Sequence, residues 1–188
     1  MKIGILALQG DFYKHGEAVQ KLGHDVLYVK DLPTLKKSDK LIVPGGESTT
    51  FLRLIEKLQL RDSLVEFGRP KSIMATCAGL ITMATQVDGL PFPPLGLIDI
   101  TVERNAYGRQ IDSFIDEVRL DLAGDVLSFE GVFIRAPKIH ERGQGVRELG
   151  WHNESVIVVA NENILVSTFH PELSDDLRLH EFFINRFN

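Results

Sequence analysis

The chain is poor in cysteine: one residue, Cys77, among 188. A single cysteine cannot close an internal disulfide, so nothing points to an oxidising compartment, and a zinc site built on cysteines is excluded. Basic clusters are missing as well. Lysine and arginine number 21 against 26 acidic residues, a net charge of −5, and no run of them gathers to meet nucleic acid or an anionic membrane. There is also no long apolar run. "MKIGILALQGDF" is interrupted by Gly and Asp too early to span a bilayer, and it lacks the cleavage site of a secretory signal. It reads as the first buried strand of a cytoplasmic protein. No repeat, low-complexity tract or linker divides the chain, and its 44% apolar and 25% charged residues suit a folded globule. Residues 1–188 are therefore expected to form a single domain.

What is present is an alternation of strand and helix. The pattern predicts strands over 2–7, 25–29, 40–43 and 72–76. Helices are expected over 13–22, 48–60 and 78–86, the second with a hydroxyl cap available in "ESTT". This order implies right-handed crossovers and a mostly parallel central sheet covered on both faces, an α/β three-layer sandwich. The second half reads differently, with strands over 98–102, 117–122, 132–135, 156–160 and 164–168 and few helices between. Some antiparallel strands are expected there, on the edge of the parallel core. A helix over 177–187 closes the chain, with Phe182, Phe183 and Phe187 on its apolar side. Ligands of such sheets bind beyond the carboxyl ends of the strands, which directs attention to the exits of the third and fourth.

The fourth exit reads "ATCAGL", with Cys77 among small residues. A lone cysteine can simply fill a core. It can also be a nucleophile on a sharp strand-to-helix turn, where small neighbours permit the turn. At that position unpaired N–H groups favour negative charge, and the N–H of Ala78 faces a developing oxyanion. The third exit is "PGGEST", residues 44–49. Two glycines mark a turn, or a backbone that approaches a ligand closely, with the Gly46 N–H as a second oxyanion donor. A phosphate loop fits poorly, because no lysine follows the glycines at the required spacing. Of six histidines, His15, His24, His140, His152 and His180 lie in polar or turn-like contexts. Only His170, in "FHPEL", has an acid two residues on in an extended segment. Residues i and i+2 of such a segment face one side, so Glu172 can orient His170 as a base for Cys77. A cysteine turn, a Gly-Gly loop and His-Pro-Glu together favour a catalytic Cys77 over a structural one.

"PGGEST", "TCAGL" and "FHPEL", in that order, resemble the class I (triad) glutamine amidotransferases. "LALQGDF" at 6–12, "VERNAYGRQIDSF" at 102–114 and "GVFIRAP" at 131–137 are similar to the glutaminase subunits of pyridoxal 5′-phosphate synthases. The resemblance spans nearly the whole chain and implies a flavodoxin-like sandwich. It makes Cys77 the nucleophile, His170 the general base and acid, and Glu172 its partner. It places Gly46, Glu47, Ser48, Arg104, Ile134 and Arg135 around L-glutamine, with Gly46 and Ala78 at the oxyanion. No metal or other cofactor is implied. The implied partner is a (β/α)₈ synthase subunit in a hetero-oligomer, which receives the ammonia and builds pyridoxal 5′-phosphate from ribose 5-phosphate and glyceraldehyde 3-phosphate. Gln9 and Gly10 are candidates for sensing that partner, although "QGD" can equally be a polar turn. The chain departs from the family at Ala75, where glycine is usual.

Three other readings remain at this point. Peptidase-like or deglycase-like hydrolases of the same fold usually place histidine after the nucleophile, where this chain has Ala78. Amidotransferase subunits feeding imidazole glycerol phosphate or anthranilate synthesis share the triad but are not expected to carry "VERNAYGRQIDSF". A catalytically silent synthase partner is disfavoured by the intact Cys77, His170 and Glu172.

Overall fold

The computed structural model describes residues 1–104 and 113–187, so most of "VERNAYGRQIDSF" lies outside the described residues. The first half runs β1 (Lys2–Leu6), α1 (Phe12–Lys21), β2 (Asp25–Val29), α2 (Leu32–Lys36), β3 (Lys40–Val43), α3 (Ser48–Lys57), α4 (Arg61–Gly68), β4 (Ile73–Thr76) and α5 (Ala78–Met83). The second half runs β5 (Ala84–Val87), β6 (Ile98–Glu103), β7 (Ser113–Leu122), β8 (Asp125–Ile134), β9 (Lys138–Arg142), β10 (Arg147–His152), β11 (Ser155–Ala160), β12 (Ile164–Ser167) and α6 (Arg178–Arg186).

Nine strands form one sheet in the order β2-β1-β3-β4-β12-β11-β10-β7-β8. From β2 to β12 neighbours are parallel, and from β12 to β8 they are antiparallel. The fold is α/β with a mostly parallel centre, as expected, but the antiparallel strands continue the sheet as a wide wing rather than trimming an edge. A second sheet, β5-β6-β9, was not foreseen.

Alternation along the parallel strands separates two cores. Leu41, Val43, Ile73, Ala75, Ile164 and Val166 face Leu35, Phe51, Ile55, Leu64, Phe67 and Leu80 from α2 to α5, with the small sheet behind. Ile3, Ile5, Ile42, Met74 and Leu165 face Val19 of α1 and Leu179, Phe183 and Ile184 of α6. Each strand is apolar on both sides because helices cover both faces. Phe183 and Phe187 are buried as expected, and Phe182 packs half-buried beside them.

Two expected helices are shorter than read. The one over 48–60 ends at Lys57, since Gln59 takes φ +55 and α4 then starts a new direction. The one over 78–86 ends at Met83: Ala84 is extended, and Gln86 and Val87 pair with Thr101 and Val102. β9 and β10 escaped the pattern because "KIHER" buries only Ile139 and β10 is broken by a register shift at Gly150.

Candidate active site

Loops leaving the carboxyl ends of β1, β3, β4 and β12 converge above the parallel strands. The Cys77 loop is held on both sides. Its N–H donates to Ser167 O at 2.8 Å, and its carbonyl accepts from Ile81 N at 3.2 Å. Between them Cys77 takes φ +48 and ψ −107. For a side chain other than glycine such a conformation costs about 1–3 kcal/mol and persists only where surroundings impose it. Ala75 lies before this turn, in β4, buried between Val43 and Val166. Its methyl group therefore packs in the strand core and does not crowd the turn.

His170 leaves β12 with its N–H donating to Val132 O at 2.8 Å. Its Nδ1 lies 2.7 Å from Glu172 Oε1, and the ring faces the cavity that Cys77 also lines, where the Cys77 sulfur lies 3.8 Å from Ile134 O. His170 takes φ −105 and ψ 87, and Pro171–Leu173 is one 3₁₀ turn. A tight turn, rather than a continuous extended segment, brings imidazole and carboxylate together. Burial works against a charged His170, but the side chains of Cys77 and Glu172 outweigh it and hold the ring well above the usual histidine range. Burial likewise opposes charge on Glu172, yet the facing imidazoles of His15 and His170 and the His170 hydrogen bond pull its carboxyl down to about 2. The pair is built to keep an imidazolium beside a carboxylate.

The opposite wall is the loop after β3. A methyl group on Gly45 would stand 2.4 Å from His170 Cε1 and 3.3 Å from Cys77 Cβ, so only glycine lets this backbone reach the pair. Gly46 has φ +145 and meets the Gln9 amide. That amide clips the loop, accepting from Glu47 N at 3.1 Å and donating to Glu47 O at 3.3 Å. The cap of α3 is the Glu47 carboxylate and not a hydroxyl. It accepts from Thr49 N at 2.9 Å and Thr50 N at 2.7 Å. Arg104 lies alongside, 3.6 Å from Glu47 Oε1 and 3.4 Å from Thr49 Oγ1.

All the residues expected around the substrate meet. Gly46, Glu47, Ser48, Cys77, Ala78, Arg104, Ile134, Arg135 and His170 line one cavity of about 200 Å³, and Glu172 stands behind His170. Arg135, like Cys77, takes a positive φ, +44. Sequence reasoning missed Ile81 in this lining and Gly45 beneath the imidazole. It also placed His15 and His180 in polar or turn-like contexts, whereas both are fully buried behind the site. The helical period carried the signal: His15 shares a face with Ala18 and Val19, and His180 with Phe183 and Ile184. No helix of the described residues is long and apolar enough to cross a membrane.

The fold is that of an α/β amidotransferase, with Cys77 on the turn after β4. The chain matches the SNO glutamine amidotransferase family over residues 5–188. It is 45% identical over 184 residues to the pyridoxal 5′-phosphate synthase subunit PdxT of Oenococcus oeni, covering 98% of this chain and 95% of that one. The PdxT of Thermotoga petrophila is 46% identical over 185 residues, covering 98% of each. A crystal structure of a glutamine amidotransferase superposes with a TM-score of 0.90 at 40% identity, over 97% of this chain and 96% of that one. PurLQS from Thermotoga maritima, at a TM-score of 0.67 and 14% identity over 98% and 97% of the two chains, shares the fold alone. The chain belongs to the SNO glutamine amidotransferase family, and it is an enzyme.

Proposed function

We propose that the whole chain acts as one glutaminase domain that hydrolyses L-glutamine to L-glutamate and ammonia with Cys77, His170 and Glu172. The observation that carries this reading is the alignment of those three side chains at a cavity of about 200 Å³, the scale of an amino acid. The Cys77 sulfur, having given its proton to His170, attacks the side-chain amide carbon of glutamine. The oxyanion is held by backbone N–H groups at Ala78 and Gly46. Ala78 is the first residue of α5, so its N–H has no partner within the helix. His170 returns the proton to the departing nitrogen, ammonia leaves, and a γ-glutamyl thioester remains. His170 then takes a proton from water, whose oxygen attacks the thioester and frees glutamate and the thiol. Glu172 holds His170 in the required tautomer throughout.

Ammonia released into water is protonated and lost as a nucleophile, so a coupled acceptor is needed. The likeness to PdxT chains supports a (β/α)₈ pyridoxal 5′-phosphate synthase subunit as that acceptor, using ribose 5-phosphate and glyceraldehyde 3-phosphate. Gln9 and Gly10 fit a sensor of its docking. A Gln9 movement is felt directly by Glu47, and a methyl group on Gly10 would lie 1.8 Å from Gly45 O. Gly10→Ala is expected to abolish stimulation by the partner; unchanged stimulated turnover would remove this role. The main test is ammonia release from glutamine by the chain, alone and with a synthase subunit, beside Cys77→Ala. Turnover should rise with the partner and vanish in the variant. No turnover by folded protein in a proven complex would overturn the proposal.

A further inference from the structure

Behind the triad lies a row of buried side chains that the reaction above does not use. His15 of α1 and His180 of α6 are fully buried, with His15 Nδ1 at 2.9 Å from His180 Nε2. The other nitrogen of His15, Nε2, lies 3.2 Å from Thr76 Oγ1 and 3.3 Å from Glu172 Oε2. Glu172 Oε1 is the oxygen paired with His170. One imidazole thus touches both the residue before the nucleophile and the second oxygen of the acid that orients the base. Filling space does not require this. Two apolar side chains would occupy the same volume without the cost of burying four ring nitrogens.

The charge of Glu172 determines which nitrogen carries hydrogen. An ionised carboxylate only accepts, and a bare Nε2 lone pair would repel it. His15 therefore carries its hydrogen on Nε2 and accepts at Nδ1, which makes His180 Nε2–H the donor between the rings. Burial, the leading influence on both, disfavours their charged forms and holds His180 down to about 3. The groups facing His15 are Glu172 and His170 from the segment after β12, His180 from α6, Thr76 from β4, and Asp11 ahead of its own helix. A neutral N–H dipole can steady the carboxylate without competing with His170 for its charge. The approach to Oε2 is electrostatic rather than an aligned hydrogen bond, the aligned partner being Thr76.

We propose that His15 is a positioning residue of the triad: its Nε2–H, kept in that tautomer by His180, orients the Glu172 carboxylate and ties it to Thr76 at the foot of the Cys77 turn. This rests on Cys77, His170 and Glu172 being the working triad. His15→Phe keeps the volume and removes the donor. His15→Gln keeps an amide N–H at a comparable reach.

Glutamine hydrolysis by the full chain with a synthase subunit, counted per alkylatable Cys77, is expected to show kcat reduced about 10- to 100-fold in His15→Phe, the usual effect of losing an outer partner of a catalytic group. KM should stay within about twofold, since the substrate contacts remain. The acid limb of kcat/KM should move to higher pH, because a carboxylate that loses a facing N–H dipole binds its proton more tightly. His15→Gln should restore most of kcat and the position of the limb. Imidazole ¹⁵N spectra of the unsubstituted chain supply a reading that needs no variant to fold, with hydrogen on Nε2 and not Nδ1 of His15 at neutral pH. A His15→Phe enzyme with normal kcat and an unmoved acid limb would overturn the proposal. So would a hydrogen on Nδ1 of His15. No turnover by the unsubstituted enzyme would overturn the triad reading and this one with it, whereas normal turnover in both His15 variants would sink only the positioning role.

Discussion

At Gly45 the absence of one methyl group lets His170 stand beside Cys77. A Cβ there would sit 2.4 Å from the imidazole, and the ring, not the backbone, is the part able to move. Gly45→Ala is therefore expected to lower kcat by about 10²-fold, the effect of a displacement near 1 Å in a catalytic group. A thermal melt close to that of the original chain would place the loss in the site and not the fold; unchanged turnover would show that the loop yields instead. Sequence could mark this loop as glycine-rich but not say which glycine meets the histidine. His170 was legible because an acid follows it at i+2, a local relation. The helical period held the burial of His15 and His180 but not their pairing, because the groups that pair them lie on different elements.

Single side chains also hold elements in place. The Glu47 carboxylate takes up two orphan N–H groups of α3, and although burial opposes its charge, the bonds from Thr50 and Thr49 pull it to about 2 from an ordinary 4.5. A carboxyl depressed by folding stabilises the protein above its unfolded pKa and loses that effect as pH falls toward its folded one. Glu47→Ala should cost about 1 kcal/mol at neutral pH. The gap between variant and original in denaturant melts should close as pH drops from 4.5 towards 2. A gap independent of pH would mean that the cap does not act through its charge. Lys40 does a related task at the far end of the chain. Its buried ammonium donates to Ile184 O at 2.8 Å and to Phe187 O, fastening the end of α6 to β3. Lys40→Ala should destabilise the chain by about 2 kcal/mol, the scale of charged hydrogen bonds lost inside, readable from the same melts. Element identity was largely legible where periodicity is strong, as in β2 and β3, which match their expected residues. It failed at β5, where a helix-like run turns into a strand because β6 is there to pair with it.

Across the whole molecule, five parallel strands carry the site on their carboxyl ends while the antiparallel wing extends to one side. The parallel strands are paired on both sides and covered on both faces, except at β2, whereas β8 pairs only with β7 among the described residues. Amide exchange is therefore expected to be slowest in β1, β3, β4 and β12 and faster in β8, as mass spectrometry of exchanged peptides would show. Equal protection in β8 would mean that something covers that edge in solution. The sequence by itself determined the alternation of elements in the parallel half and the three motifs that hold Cys77, Glu47 and His170. Those signals depend on neighbours a few residues apart. Only the tertiary structure decided the small second sheet, the approach of Gly45 to His170, the Gln9 clip on Glu47 and the pairing of His15 with His180 across 165 residues. These are distances between elements, set by how both cores pack around the sheet, and no local pattern encodes them.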